Sequence, residues 1–292
     1  RDMLFTSPEM EKYISGVIFY DETIRQSSIS DGTPFPKLLS DKGVLPGIKV
    51  DMGAKSLAGF KNEKITEGLD GLRYRLAEYR DLGARFAKWR AVITIGDDIP
   101  SSSCIYVNAH ALARYAALCQ EADIVPIVEP EVLMNGVHDI DTCFSVTEET
   151  LKTVFQELFD QEIFLEGIIL KPNMVLSALD CSEQASVEEV AESTVECFLR
   201  TVPAAVPGIC FLSGGQSDVF ATQHLNAMNQ LNRNFPWSLS FSYGRALQAP
   251  ALKAWGGKDE NFKAGQKAFL KRAKLNGVAA LGKYSDDMEN GT

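Results

Sequence analysis

Charged side chains lie inside several apolar, β-branched runs of this sequence. Lys88 and Arg90 are two residues apart in the run 84–93, Glu129 and Glu131 are two apart in the run 124–132, and Lys171 ends the run Gly-Ile-Ile-Leu. Alternate side chains of a strand point to the same face, so each pair shares one face. A charge buried without an opposite charge costs several kcal/mol. We therefore expect these lysines and glutamates to meet in one site.

Lys171 is the candidate nucleophile, since it follows an apolar strand and precedes Pro172. Burial, together with Lys88 on the same side of the sheet, is expected to lower its pKa. A lysine that is neutral near pH 7 attacks carbonyl carbon and forms a Schiff base. The alternative is a structural lysine whose ammonium reaches the rim of the sheet.

Glu129 and Glu131 lie on either side of Pro130, which stiffens the end of their strand. Two carboxylates on one face repel each other, so at least one is expected to have a raised pKa suited to proton transfer. The alternative is a purely structural ion cluster with the neighbouring lysines and arginine.

Two further strand ends have the features of a phosphate site. Leu-Ser-Gly-Gly-Gln-Ser at 212–217 closes one apolar run and opens a helical stretch, and Tyr243, Gly244 and Arg245 do the same on the next. Glycines let backbone N–H groups approach an anion, and arginine supplies a bidentate fork. Lys49 and Arg90 add positive charge at other strand ends, which suits a small anionic substrate.

The elements that must hold these residues alternate along the chain. Apolar runs predict seven strands, at 16–20, 46–50, 84–93, 124–132, 165–174, 208–214 and 238–244. Three-to-four spacing predicts helices at 66–82, 107–121, 145–159 (with Ser145 as N-cap and Glu148 completing a capping box), 186–201, 217–231 and 259–281. Without a Gly-x-Gly-x-x-Gly after the first strand, a closed barrel is favoured over a dinucleotide-binding sheet.

We therefore predict an α/β fold, a TIM (β/α)₈ barrel whose active site lies at the C-terminal ends of the strands. The residues 1–292 form a single domain in this interpretation, because no linker divides them. Seven strands instead of eight, together with Arg1 in place of an initiating Met, indicate that the first βα unit is missing from the chain.

Composition narrows the classes of function. The 292 residues carry a net charge of −10, which argues against nucleic acid as a partner, and no apolar stretch is long enough for a membrane span. Six scattered cysteines and three histidines lack zinc-site spacing, so we expect reduced thiols, a cytoplasmic location and no metal or cofactor. His110, His138 and His224 receive no role. The cluster of Lys267, Lys271, Arg272 and Lys274 is interpreted as a solvated helix face.

These motifs resemble the class I fructose-1,6-bisphosphate aldolase family. The resemblance rests on GIKVD, FAKWR, VPIVEPE, IILKPNM, FLSGGQS, FSYGRALQ and ALKAWGGK, in the family's order over nearly the whole chain. It implies a metal-independent, reversible cleavage of fructose 1,6-bisphosphate to dihydroxyacetone phosphate and glyceraldehyde 3-phosphate, in glycolysis and gluconeogenesis. It also implies sugar phosphates as ligands and a homotetramer.

The resemblance assigns roles to particular residues. Lys171 forms the imine, Glu129 acts as acid and base, Lys88 assists carbinolamine chemistry and Glu131 adjusts the local charge. The implied substrate-binding residues are Lys49, Arg90, Ser213, Gly214, Gly215, Ser242, Gly244 and Arg245. Trp89, on the opposite strand face, is expected to pack against helices.

Some family features are absent from the sequence. The Ala-Asp-Glu-Ser motif of the family's first strand and the C-terminal tyrosine are missing, and Met52 replaces a common lysine. If the polypeptide begins at Arg1, we expect an unstable open barrel with little cleavage, although imine formation could survive. Two alternatives remain: a non-catalytic scaffold that binds other proteins, and another Schiff-base aldolase of the transaldolase or deoxyribose-phosphate type.

Overall fold

The computed structural model describes residues 1–231 and 234–291. The strands are β1 Gly16–Phe19, β2 Leu45–Lys49, β3 Ala54–Ser56, β4 Lys64–Thr66, β5 Phe86–Ile93, β6 Val125–Val132, β7 Ile169–Leu170, β8 Gly208–Phe211 and β9 Ser238–Phe241. The α-helices are α1 Asp2–Phe5, α2 Asp21–Ile24, α3 Phe35–Asp41, α4 Leu72–Asp81, α5 Ser102–Glu121, α6 Ile140–Asp160, α7 Val187–Thr201, α8 Asp218–Gln230, α9 Arg245–Trp255, α10 Phe262–Ala279 and α11 Asp287–Asn290.

A seven-stranded sheet carries the fold. Its order is β1-β2-β5-β6-β7-β8-β9, with every neighbouring pair parallel, while β3 and β4 form a separate antiparallel pair. Helices connect most successive strands, which is the (β/α) pattern of a barrel. All seven predicted strands are therefore confirmed. Within residues 1–231 and 234–291, β1 and β9 are the two edges and do not pair with each other.

Phe86 fills the inside of the curved sheet near the start of its strand. A Cβ added at Gly47 would lie 2.2 Å from the Phe86 ring, and one added at Gly16 would lie 2.9 Å from it. A larger residue at either position would clash with the ring, so β1 and β2 need glycine where they pass it. On the other face of β5, Trp89 is fully buried and its ring centroid lies 5.6 Å from that of Tyr115, which confirms the packing role predicted for it.

Several predicted helix boundaries are wrong. Gly71 has φ +67° and caps α4, so this helix begins at Leu72, and residues 64–66 belong to β4 instead. Asp139 caps α6, since its carboxylate accepts from the Thr142 N–H at 2.8 Å. Ser145 lies inside that helix, and its hydroxyl donates to the Asp141 carbonyl at 3.0 Å. A true capping box occurs at Ser186 and starts α7.

The interpretation of Arg272 as a solvated residue is also wrong. Its guanidinium is buried, lies 2.8 Å from Glu289 and 3.1 Å from Asp218, and so ties α10 to α8 and α11. All six cysteines are free, and four of them are buried. None of the described helices is apolar over a length that would cross a bilayer.

Candidate active site

The register of the parallel strands brings the charged strand residues together. Lys49 of β2 pairs in register with Lys88 of β5. Lys171 follows Leu170, which pairs with Val128 of β6, and its backbone N–H donates to the Val128 carbonyl at 2.8 Å. Three lysines from three strands therefore reach the same end of the sheet, where barrel enzymes place their active sites.

One carboxylate lies between two of these lysines. The Lys171 ammonium donates to Glu129 Oε1, and the Lys88 Nζ lies 2.9 Å from Glu129 Oε2. All three side chains are buried. The predicted meeting of opposite charges thus occurs, with Glu129 as its centre.

The environment shifts the pKa of both partners in the closest pair. Burial lowers the pKa of Lys171, and the charge of Lys88 lowers it further against the opposing effect of Glu129. Burial alone would raise the pKa of Glu129, but the charges of Lys171 and Lys88 hold it below its ordinary value. The raised pKa predicted for a glutamate of the pair is therefore wrong for Glu129, because the two neighbouring cations outweigh the effect of burial.

Glu131 has a different partner. Its buried carboxylate pairs with the Arg90 guanidinium, whose side chain remains 43% exposed. Arg90 is not among the residues that border the central cavity. Arg90 therefore neutralises Glu131, but it does not reach the cavity wall where the lysines lie.

Asp51 is a buried site residue that the sequence analysis missed. Its Oδ1 accepts from Lys49 Nζ at 2.5 Å and from Gly53 N–H at 3.1 Å. Its Oδ2 accepts from the Arg90 backbone N–H at 3.2 Å and lies 3.8 Å from Lys88 Nζ. The signal was present, since Asp51 follows Lys49 by two residues as the other charged strand residues follow one another.

A cavity of ≈ 450 Å³ opens above this cluster, between the edge strands β1 and β9. Charged and polar side chains border it from several strands and from the start of α9. Among the predicted site residues, those on its wall are Lys49, Lys88, Lys171, Ser242, Gly244 and Arg245. The wall thus carries four cationic side chains, which suits a ligand with anionic groups.

The glycine-rich segment after β8 forms a tight turn. The Gln216 N–H donates to the Ser213 carbonyl at 2.9 Å, and Ser217 caps α8 by accepting from Phe220 N–H at 3.1 Å. Gly214 and Gly215 have φ +58° and +100°, in the region that favours glycine. We call residues 213–217 the phosphate loop.

Arg245 connects this loop to the next strand end. A Cβ added at Gly215 would lie 3.8 Å from Arg245 Nη2, so the guanidinium lies against the loop backbone. Gly244 precedes Arg245 as the N-cap of α9. The two motifs predicted to hold a phosphate therefore adjoin, with a backbone turn on one side and an arginine and a helix N-terminus on the other.

Within the described ranges, no group of three or more His, Cys, Asp or Glu side chains is arranged to hold a metal ion. His110 has an acidic partner, since its Nδ1 lies 2.9 Å from Glu157 Oε2. That pair joins α5 to α6. His224 contacts the phosphate loop, as described below.

Comparisons with known proteins agree with this geometry. The family model described as "Fructose-bisphosphate aldolase class-I" matches residues 1–292. A "Probable fructose-bisphosphate aldolase class 1" of Xanthomonas campestris is 62% identical over 286 residues, 97% of this chain and 85% of that protein. "Fructose-bisphosphate aldolase 6, cytosolic" of Arabidopsis thaliana is 55% identical over 291 residues, 100% of this chain and 81% of that protein.

A solved structure agrees as well. The fructose-bisphosphate aldolase of Plasmodium falciparum, solved in complex with TRAP and a small-molecule inhibitor, superposes with a TM-score of 0.95 at 45% identity. The match covers 97% of this chain and 82% of that one. It confirms the predicted α/β barrel class.

Proposed function

Because the chain belongs to the class I fructose-bisphosphate aldolase family, we propose that Lys171 is the residue that forms a Schiff base with the sugar in its reaction. The protein is a fructose-bisphosphate aldolase, a lyase of glycolysis that acts on sugar phosphates. The observation that carries the assignment is the buried contact of Lys171 with Glu129 beside the cavity. This contact supports a lysine poised between its charged and neutral forms.

The chemistry at Lys171 follows from its lowered pKa. The neutral amine attacks C2 of fructose 1,6-bisphosphate, and loss of water leaves a protonated imine. The C4 hydroxyl then gives its proton to the Glu129 carboxylate, the C3–C4 bond breaks, and the imine nitrogen takes the electron pair of that bond as glyceraldehyde 3-phosphate leaves. The enamine then takes up a proton at C3, and hydrolysis releases dihydroxyacetone phosphate and restores the amine.

Glu129 and Lys88 handle protons in this proposal. Glu129 already accepts the Lys171 hydrogen bond, so it can take the proton that leaves the attacking nitrogen and return one to the departing hydroxyl. Lys88, 2.9 Å from the other carboxylate oxygen, keeps Glu129 ionised and stabilises negative charge on the carbinolamine oxygen. Glu131 sets the local charge through its pair with Arg90.

The two phosphates bind at opposite sides of the cavity. The C1 phosphate binds between the backbone turn of Ser213, Gly214 and Gly215, which lies against Arg245, and the neighbouring strand end, where Ser242, Gly244 and Arg245 border the cavity. Lys49, held by Asp51, provides positive charge toward the other phosphate, whereas Arg90, which lies off the cavity wall, contributes only through its pair with Glu131.

The proposal also covers the domain organisation, oligomeric state, pathway and location of the protein. We expect one barrel domain over residues 1–292, a homotetramer, operation in gluconeogenesis as well as glycolysis, and catalysis without metal, cofactor or nucleic acid. A cytoplasmic location is supported by the cytosolic plant relative. A non-catalytic scaffold role is disfavoured, because the ion cluster of Lys171, Glu129 and Lys88 is intact.

Cleavage of fructose 1,6-bisphosphate, followed by coupled reduction of the triose product, tests the function. We expect activity that EDTA does not reduce, and a loss of about 10⁴-fold or more in Lys171→Met. Lys152→Met is the matched control, because Lys152 pairs with Glu148 on the outer helix α6. Activity that EDTA abolishes, or that survives Lys171→Met, would overturn the proposal.

A further inference from the structure

The Gln216 side chain attaches the phosphate loop to two other segments of the fold. The backbone of Gln216 closes the turn with Ser213, and its side chain reaches in two directions. Gln216 Oε1 lies 2.6 Å from His224 Nδ1, and Gln216 Nε2 donates to Met174 Sδ at 3.6 Å. The two residues before Gln216, Gly214 and Gly215, have no side chains that could anchor the turn.

His224 reaches Gln216 from the second turn of α8. The ring is buried and stacks on Phe220, with centroids 6.0 Å apart and planes 18° apart. Since the amide oxygen of Gln216 faces the ring, Nδ1 carries the hydrogen and donates. Burial lowers the pKa of His224 to about 4, so the ring is neutral at neutral pH and keeps this donor.

The other end of this chain of contacts lies near the nucleophile. Met174 is buried three residues after Lys171, in the segment that leads away from β7. The sequence of contacts from His224 through Gln216 to Met174 thus joins α8, the phosphate loop and the Lys171 segment. A displacement of Gln216 would move the loop relative to the amine that must attack C2.

We propose that His224 is a positioning residue, which holds Gln216 and thereby fixes the phosphate loop at the right distance from Lys171. The inference rests on the proposed function, since it assigns the loop to the phosphate of the Schiff-base ligand. His224 does not touch that ligand in this proposal. Its contribution is to bind the phosphate more tightly by keeping the loop in its bound shape before the ligand arrives.

The test compares a ligand with a phosphate and one without. Borohydride trapping of the Lys171 imine is measured against the concentration of dihydroxyacetone phosphate and, separately, of dihydroxyacetone. In His224→Leu, which fills a similar volume without a donor, the half-saturating concentration of dihydroxyacetone phosphate should rise about fivefold to tenfold. That of dihydroxyacetone should stay unchanged, as should the limiting yield of adduct.

Two more variants test whether the hydrogen bond between His224 and Gln216 causes the effect. His224→Asn places an amide nitrogen where Nδ1 lies and should restore affinity to within about twofold, whereas Gln216→Met, which removes the acceptor, should reproduce the loss. If His224→Leu does not fold, the comparison of Gln216→Met with the parent decides the question.

The possible failures are distinguishable. An unchanged response to dihydroxyacetone phosphate in both His224→Leu and Gln216→Met, or an equal change for both ligands, would overturn the positioning role while the aldolase function stands. A parent protein that gives no Lys171 adduct with either ligand would overturn the proposed function, and this inference with it.

Discussion

Replacing Glu129 with glutamine removes the negative charge that lies between the two buried lysines Lys88 and Lys171. Glu129→Gln keeps the size of the side chain but leaves the ammonium groups of Lys88 and Lys171 facing a neutral amide. Both lysines are buried except where they border the cavity, so water can replace the lost carboxylate only in part. We expect the variant to be markedly less stable than the parent at pH 7.

The magnitude follows from the geometry. At 2.9 Å from Lys88 Nζ, one carboxylate oxygen at an effective dielectric constant of about 20 gives an attraction of about 6 kcal/mol. Desolvation of the charges offsets part of this. Removing one partner of a buried pair typically costs about 3–5 kcal/mol, and we expect a loss in this range.

Glu131→Gln is the matched control. Glu131 lies two residues away on the same strand face, but its partner Arg90 is 43% exposed and stays hydrated when the pair is lost. Screening by solvent limits the expected loss to about 1 kcal/mol. Urea unfolding of both variants at pH 7 measures the difference. Equal losses, or a loss below about 1 kcal/mol in Glu129→Gln, would refute the central position of Glu129.

The pH dependence of stability provides a second test of Glu129→Gln. Without Glu129, the pKa of Lys171 in the folded protein should fall further, because the remaining effects of burial and Lys88 both lower it. The unfolded state then binds more protons than the folded state up to the ordinary lysine pKa of about 10.4. The stability of Glu129→Gln should therefore rise more steeply with pH than that of the parent. A parallel pair of pH profiles would contradict this explanation.

Three more variants test other parts of the site. Arg245→Lys loses the bidentate fork and should raise the half-saturating concentration of dihydroxyacetone phosphate in trapping about tenfold, but not that of dihydroxyacetone; an equal effect on both would contradict phosphate binding. Asp51→Asn leaves Lys49 and Lys88 without a shared anion and should lower the free energy of unfolding in urea by about 2–4 kcal/mol. An unchanged free energy of unfolding would contradict the role of Asp51 as their partner. Because His224 has a pKa of about 4 when folded and about 6.5 when unfolded, the stability should fall by up to about 3 kcal/mol as the pH drops from 6.5 to 4. His224→Leu should flatten that slope.

The sequence predicted the centre of the site because strands have a two-residue period. Lys88, Glu129 and Lys171 follow apolar runs of parallel strands, so their charges had to meet at one end of the sheet. The contact between Lys171 and Glu129 fulfils that prediction. The direction of the Glu129 pKa was not predictable in the same way, because it depends on how many cations surround the carboxylate.

Contacts outside the strand ends could not be predicted from the pattern of residues. Arg272 is buried because Glu289 of the following helix α11 folds back onto it, whereas periodicity alone placed Arg272 on a solvated face. The helix α9 contains Pro250, which obscures its helical pattern. The contact of Gln216 with His224 depends on the shape of the turn at Gly214 and Gly215, which sequence spacing does not specify.

The most direct test of the account is to locate the imine. The protein is incubated with dihydroxyacetone phosphate and borohydride, its intact mass is measured, and the modified peptide is mapped, with Lys171→Met as the control. The account predicts one adduct per chain, on Lys171, and none in the variant. An adduct on Lys88 or Lys49 in its place, or the same adduct in Lys171→Met, would contradict the assignment of Lys171 as the nucleophile.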